Sequence, residues 1–372
     1  MDSDITIIGA GVVGLSIARS CLKLTDNIYL IEKNNTFGLE ISSRNSEVIH
    51  SGIYYPFDSL KSNLCISGRK KIYEYCDFKK VSYNKCGKLI IAQNQEEKNR
   101  LNLLKKLAIR KNIKCEPLNA NAIKEKEPNI AAKYALLLPD SGVIDSHGYM
   151  SALLNDINNN VDIVYKTKVK EIKKIDRGYL ILIQNPDKTI SSFTTRILIN
   201  SGGLYSNQIS KMVGINNLDY EISFWKGEYF WASDVEKNYL KTLIYPLPRK
   251  NIEGLGIHST TDLNGRLKFG PNAIYIGRNT NLDYSINVNN KKKFYEAIVK
   301  YLPGININQL NPDFSGIRPK LQKPGSLFRD FVICNEEDKG FHNFINLIGI
   351  ESPGLTASLA IGDYVTNIID WQ

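Results

Sequence analysis

Near the N-terminus, Gly9-Ala10-Gly11-Val12-Val13-Gly14 spaces three glycines as a dinucleotide-binding turn does, and Glu32 follows 18 residues after the third. In such a turn the first glycine permits the tight bend, the second lets a pyrophosphate approach the backbone, and the third lets a helix pack on a sheet. Amides at the helix start attract phosphates, and a carboxylate ending the next strand accepts hydrogen bonds from a ribose hydroxyl. Just beyond comes SRNSEVIHSGIYYP, residues 43–56, which crowds Ser43, Arg44, Asn45, Ser46, His50 and Tyr54 into one segment. An imidazole titrates near neutrality and suits proton transfer, and His50 is one of only four histidines. His258 is the competing base, while His147 follows an Asp-Ser turn, His342 lies in a polar stretch, and both read as structural. An arginine fork suits a carboxylate, and Arg318 in GIRPK is the first candidate. Near the C-terminus, GIESPGLTASLAIG places Gly349, Glu351, Ser352, Gly354, Leu355 and Thr356 before or at the start of an apolar helix. Its free amides can face an anion. The N1–C2 edge of a reduced flavin is such an anion, whereas a nicotinamide needs no such partner.

These residues must be positioned by regular elements. DITIIGAGVVGLSIARSCLKL passes from a buried β run into a helix, and NIYLIEK supplies a second strand, a βαβ unit. Helices are predicted over 60–78, 95–111 and about 147–157, with strands at KLIIAQ, YALLLP, VDIVY, KVKEIKKI and GYLILIQ. TRILINSGGLYSNQISKMVG is a strand, a glycine turn containing Ser201, Gly202 and Gly203, and a helix; taken alone the turn is equally an ordinary strand end. Over residues 220–277 the pattern shifts to β segments rich in aromatic residues and Ile, an antiparallel sheet. A strand and a long helix close the chain. The fold class is therefore α/β, a Rossmann-like nucleotide domain with an inserted antiparallel-sheet α+β domain. The expected division is 1–80, 141–215 and 316–372 for the first and 81–140 and 216–315 for the second.

Length and composition limit the function classes. A chain of 372 residues buries a sizeable core, and its longest N-terminal apolar run is broken by glycines and falls short of a bilayer span of roughly 20 residues. No signal-peptide pattern precedes it, so a cytoplasmic location is expected. The six cysteines show no CxxC spacing and no nearby histidines, so neither a disulfide framework nor a metal site is expected. Net charge is +10, but only 12 of the 48 basic residues are Arg and the lysine run 291–293 carries no interleaved aromatics. Nucleic acid is therefore not an expected partner.

Across nearly its whole length the sequence resembles the FAD-dependent oxidoreductases of the D-amino-acid oxidase and glycerol-3-phosphate dehydrogenase superfamily. Within it, SRNSEVIHSGIYYP, CGKLIIA, GEYF, YPLP, GLGIHSTTDLNGRLKFGPNA and SPGLTASLAIG are similar in order and spacing to the L-2-hydroxyglutarate oxidase/dehydrogenase group. The sequence departs from that group's pattern at Arg44, at Lys226, in the turn 349–352 and after Arg318. The resemblance implies an FAD-binding domain of the D-amino-acid oxidase type and cofactor contacts from Gly9, Ala10, Gly11, Val13, Gly14, Glu32, Lys33, Ser42, Ser43, Arg44, Asn45, Ser46, Val169, Ser201, Gly202, Gly203, Gly316, Arg318, Gly349, Glu351, Ser352, Gly354, Leu355 and Thr356. It implies hydride transfer from a small L-2-hydroxy acid to flavin N5, with His50 or His258 as base and Arg318 on the carboxylate. Tyr54, Lys226, Tyr229, Tyr245 and Lys268 are the further substrate-binding candidates. Electrons would pass to oxygen or a membrane quinone, the latter at a peripheral contact on the inner face of the membrane. Amine or amino-acid oxidation on the same fold is the alternative, and a flavin-binding or membrane-docking protein without turnover is the second.

Overall fold

The computed structural model describes residues 1–247, 256–278 and 282–371. Pro248, Gly254 and Leu255 of the motifs above lie outside them. Two large sheets and one small one organise the described chain. The first sheet runs Lys168–Ile175, Gly178–Gln184, Ile190–Asn200, Ser3–Ile8, Ile28–Ile31, Asp162–Val164; Phe344–Ile348 pairs parallel with the last residues of Ile190–Asn200, and Val332–Asn335 pairs with Phe344–Ile348. Its centre is parallel, with Ile5 opposite Ile28 on one side and Ile197 on the other. Parallel strands carry helices on their faces, which is why these strands read as unbroken apolar runs. Helices Val12–Cys21 and Gly354–Ile368 pack together against Ile5, Ile7, Leu30, Ile197 and Ile199.

The second sheet orders Ile274–Gly277, Ser223–Ala232, Leu267–Phe269, Ser259–Thr261, Leu243–Pro246, Lys88–Ala92, Tyr134–Leu138 and Glu116–Asn119, with Leu310–Lys320 also paired to Ser223–Ala232. Its strands thus come from 88–138 and 223–320, and the expected boundary at 316 falls within Leu310–Lys320. That strand leaves the second sheet's edge close to the segment carrying Arg44. Gly316 makes the approach possible, since a Cβ there would lie 2.2 Å from the Arg44 carbonyl oxygen.

One pairing differs from the expected antiparallel sheet. Leu243–Pro246 runs parallel to Lys88–Ala92, with Leu243 opposite Lys88 and Tyr245 opposite Ile90. Alternation reveals a half-buried strand but not the direction of a partner that arrived some 150 residues earlier in the chain. The consequence is chemical. Because side chains alternate between faces, Lys88 and Tyr245 emerge on the same face of the sheet. The third sheet, Val48–Ile49, Gly142–Ile144 and Tyr83–Asn84, is too short for periodicity to reveal; it fixes the start of the His50 segment.

Candidate active site

A cavity of about 600 Å³ opens between the two large sheets. Its first end is built by the N-terminal turn. Gly9, Gly11, Val13, Glu32, Lys33, Ser42, Ser201, Gly202 and Gly203 line it. A Cβ on Gly14 would lie 1.9 Å from the Gly9 carbonyl oxygen, so the helix can close on the turn only with glycine there. Glu32 is buried, with one carboxylate oxygen accepting from the Ala10 amide at 2.9 Å and the other from the Asn34 amide at 2.8 Å. Each oxygen keeps a lone pair for a ribose hydroxyl. Ser42 Oγ accepts from the Val12 amide at 3.0 Å, tying the segment after the second strand to the turn. Arg44, Asn45, Ser46 and Val169 continue the wall.

At the other end the long closing helix begins at Gly354 behind Pro353, with no side chain capping it. Glu351, Ser352, Pro353, Gly354 and Leu355 line the cavity, so the helix's positive end opens into it. Glu351 is buried and ion-paired to Lys61 at 3.0 Å. Burial opposes its ionisation, but Lys61 and Lys320 outweigh this and hold its carboxyl below the ordinary value.

The chemistry-bearing cluster lies between these ends. The His50 amide donates to Thr356 Oγ1 at 3.0 Å, and its ring stands between Lys88 Nζ, 3.5 Å from Nδ1, and Ser352 Oγ, 3.3 Å from Nε2. The segment after it is pinned from behind by Lys111, whose Nζ donates to the Gly52 and Tyr55 carbonyls. The Lys88 ammonium stands 4.0 Å from the centre of the Tyr245 ring, and Tyr245 stacks on His258 at 3.8 Å with the rings 4° from parallel. Arg318, Tyr54 and Tyr229 line the same space.

Charge and burial set the protonation states. Burial, then Lys88, His258 and Arg318, hold His50 well below 6.5. Burial, then Lys88 and Arg318, do the same for His258. Both imidazoles are therefore uncharged at neutral pH rather than poised near it, as their residue type alone suggested. Burial pushes Lys88 down from 10.5 to about 8 and raises Tyr54, Tyr229 and Tyr245 above 10. His258 Nδ1 and the Tyr54 hydroxyl are buried and lack a hydrogen-bond partner. Unmet polar groups in a lined cavity mark the place of a ligand.

The candidate residues divide into three groups. Those named above as lining meet in the cavity. Ala10, Gly14, Ser43, Gly316, Gly349 and Thr356 stand one step behind its wall; Ser43 Oγ, for instance, donates to the Glu40 carbonyl. Lys226 and Lys268 point elsewhere, paired with Asp283 at 3.2 Å and Asp262 at 3.1 Å. Both strands are paired on either side at these positions, and each lysine is held by a carboxylate on an adjoining loop instead of turning into the cavity. Lys88 and Tyr55 line the cavity but were not among the candidates. The signal for Lys88 was a lysine heading KLIIA, a strand buried at all five positions. Among the described residues no cluster is suited to a metal ion, and no helix is long and apolar enough to cross a membrane.

A fingerprint turn, a buried acid at the ribose position and an uncapped helix end facing one cavity are what a flavin dinucleotide needs. The chain belongs to the FAD dependent oxidoreductase family, whose sequence profile matches residues 4–368, and FAD is its cofactor. Among curated proteins it is 34% identical to the mitochondrial L-2-hydroxyglutarate dehydrogenase of Arabidopsis thaliana, covering 98% of this chain and 83% of that one. It is 33% identical to the glycerol 3-phosphate dehydrogenase of Caloramator mitchellensis, covering 98% and 73%. Among solved structures, dithionite-reduced L-α-glycerophosphate oxidase from Mycoplasma pneumoniae with FAD bound superposes with a TM-score of 0.87 at 26% identity, covering 100% of this chain and 96% of that one. Glycine oxidase from Geobacillus kaustophilus shares the fold, with a TM-score of 0.79 at 18% identity, over 98% and 94%.

Proposed function

We propose that this enzyme oxidises the hydroxyl-bearing carbon of a small anionic 2-hydroxy acid, with L-2-hydroxyglutarate to 2-oxoglutarate as the specific reaction. The observation that carries the reading is two uncharged imidazoles, His50 and His258, sharing one buried cavity with the cations Lys88 and Arg318. An uncharged imidazole accepts a hydroxyl proton, and a desolvated cation binds carboxylate. The name of the Arabidopsis relative supports the substrate.

FAD, when bound, supplies the hydride acceptor. Gly9, Gly11, Val13, Ser42, Asn45 and the amides at the start of the Val12–Cys21 helix hold its pyrophosphate and ribityl chain, Glu32 its ribose, and Gly354 and Leu355 the electron-rich ring edge. His50 takes the hydroxyl proton, with His258 as the competing base. Arg318 binds the carboxylate beside the reacting carbon, and Tyr54, Tyr229 and Tyr245 shape the remaining wall. The acceptor that reoxidises the enzyme is oxygen or a membrane quinone. A peripheral contact at the inner membrane face would use the exposed Leu327, whose neighbour Phe328 lines the cavity.

A second reading, oxidation of glycerol 3-phosphate, is favoured by the Caloramator relative, and the same cations suit a phosphate. The test is anaerobic mixing of the yellow holoenzyme with L-2-hydroxyglutarate, its D-enantiomer, glycerol 3-phosphate and glycine, following loss of oxidised-flavin absorbance. Bleaching by L-2-hydroxyglutarate alone is expected. Faster bleaching by glycerol 3-phosphate selects the second reading, and bleaching by glycine alone overturns both. Peroxide formation in air marks oxygen as the acceptor.

A further inference from the structure

Lys88 is a lysine at 1% exposure at the head of the strand Lys88–Ala92, whose other four residues are apolar and buried. Among the described residues no carboxylate forms an ion pair with it. Cys65 faces it from the helix Leu60–Lys79, Cys86 from the turn before its own strand, Tyr245 from the neighbouring strand and His50 from the cavity segment; His258 and Arg318 complete the surroundings. A buried ammonium without a counter-ion is costly, so its retention calls for a task.

The contact with His50 defines that task. Nδ1 and Nζ are 3.5 Å apart, and only one hydrogen can lie between them. If Lys88 is an ammonium it donates to Nδ1. The uncharged ring then carries its hydrogen on Nε2 and has no lone pair there for a substrate. If Lys88 is an amine, Nδ1–H donates to Nζ and Nε2 keeps a lone pair, which Ser352 Oγ, 3.3 Å away, occupies until a substrate hydroxyl takes its place. We propose that Lys88 is the terminal proton acceptor of a relay that runs from the substrate hydroxyl through His50.

The bonds balance. The substrate O–H bond breaks and an N–H bond forms at Nε2, while the Nδ1–H bond breaks and a third N–H bond forms at Nζ. The C–H electron pair leaves as hydride to the family's bound oxidant, so the alcohol becomes a ketone and Lys88 an ammonium. His50 ends uncharged with its hydrogen on Nε2, and Lys88 returns its proton to water once product has left. The direction follows from the basicities: Lys88 at about 8 holds a proton more firmly than His50, which lies well below 6.5. A lone imidazole this weakly basic would be a poor resting place for the proton. Lys88 drives the transfer that His50 initiates.

The inference rests on His50 being the base, and the test separates the two claims. Anaerobic flavin reduction by saturating L-2-hydroxyglutarate is measured against pH in the holoenzyme, in Lys88→Met and in His50→Gln. The parent rate should rise with pH through a limb at or above about 8. Lys88→Met should abolish that limb and slow reduction by at least about tenfold, with FAD content unchanged. Ring-¹⁵N-labelled histidine gives a readout independent of turnover: in the parent protein the His50 hydrogen should move from Nε2 to Nδ1 as pH passes about 8, and in Lys88→Met it should not. If Lys88→Met keeps the limb and only weakens substrate binding, Lys88 is an anion-binding cation and the relay is overturned. If Lys88→Met loses FAD, the parent titration decides alone, and a His50 ring whose hydrogen stays on one nitrogen overturns the relay. A wild-type rate in His50→Gln instead removes the base assignment itself.

Discussion

Lys88→Met should make the substrate-free protein more stable near neutral pH while disabling it. Moving the ammonium from 10.5 to about 8 costs the folded state about 3 kcal/mol at pH 7, at 1.36 kcal/mol per unit. That cost is already net of the contact with the Tyr245 ring, because the shift reports everything that acts on the charged form. Methionine fills a similar volume without a charge, so the gain is up to about 3 kcal/mol. The sign with pH is fixed by linkage. Below about 8 both folded and unfolded chains carry the proton and the penalty is complete; between about 8 and 10.5 the unfolded chain binds more protons, so the parent's stability rises with pH and the variant's advantage shrinks. Urea unfolding of parent and variant at about pH 7 and about pH 10 measures both effects. A variant less stable than the parent at pH 7, or an advantage that does not change with pH, would refute the claim that Lys88 is buried at a cost for its chemistry.

Arg318→Lys keeps the charge but loses the fork, and should weaken substrate binding about 10–100-fold with FAD content normal; loss of FAD instead would make Arg318 a cofactor or structural residue. Glu32→Ala should weaken FAD binding by about 1–3 kcal/mol, read by quenching of released-flavin fluorescence, because it also frees the Ala10 and Asn34 amides. Unchanged affinity removes Glu32 from the site. With His50 and His258 held well below 6.5, the unfolded chain binds more protons on falling below that pH, so each histidine should cost stability by up to about 1.4 kcal/mol per pH unit there. The double variant His50→Gln, His258→Gln should flatten that acid slope in urea unfolding.

Local rules make one end of the site legible in the sequence alone. The glycine turn, the distance to Glu32 and the Ser-Pro-Gly entry to the last helix are short-range patterns, and their geometry is dictated by φ freedom, close backbone approach and unpaired amides. The apolar runs of Ser3–Ile8, of ILI within TRILIN and of Phe344–Ile348 likewise announced the buried strands of the nucleotide-binding domain. What sequence could not rank was the lysines. Lys226, Lys268 and Lys88 have the same chemistry and all lie on strands, yet two reach carboxylates on adjoining loops and the third is sealed behind Tyr245 and beside His50. That outcome depends on the parallel pairing of Leu243–Pro246 with Lys88–Ala92, a contact between segments far apart in the chain. Protonation was decided there too: an imidazole's basicity is set by the burial and the cations around it, and folding alone assembles both.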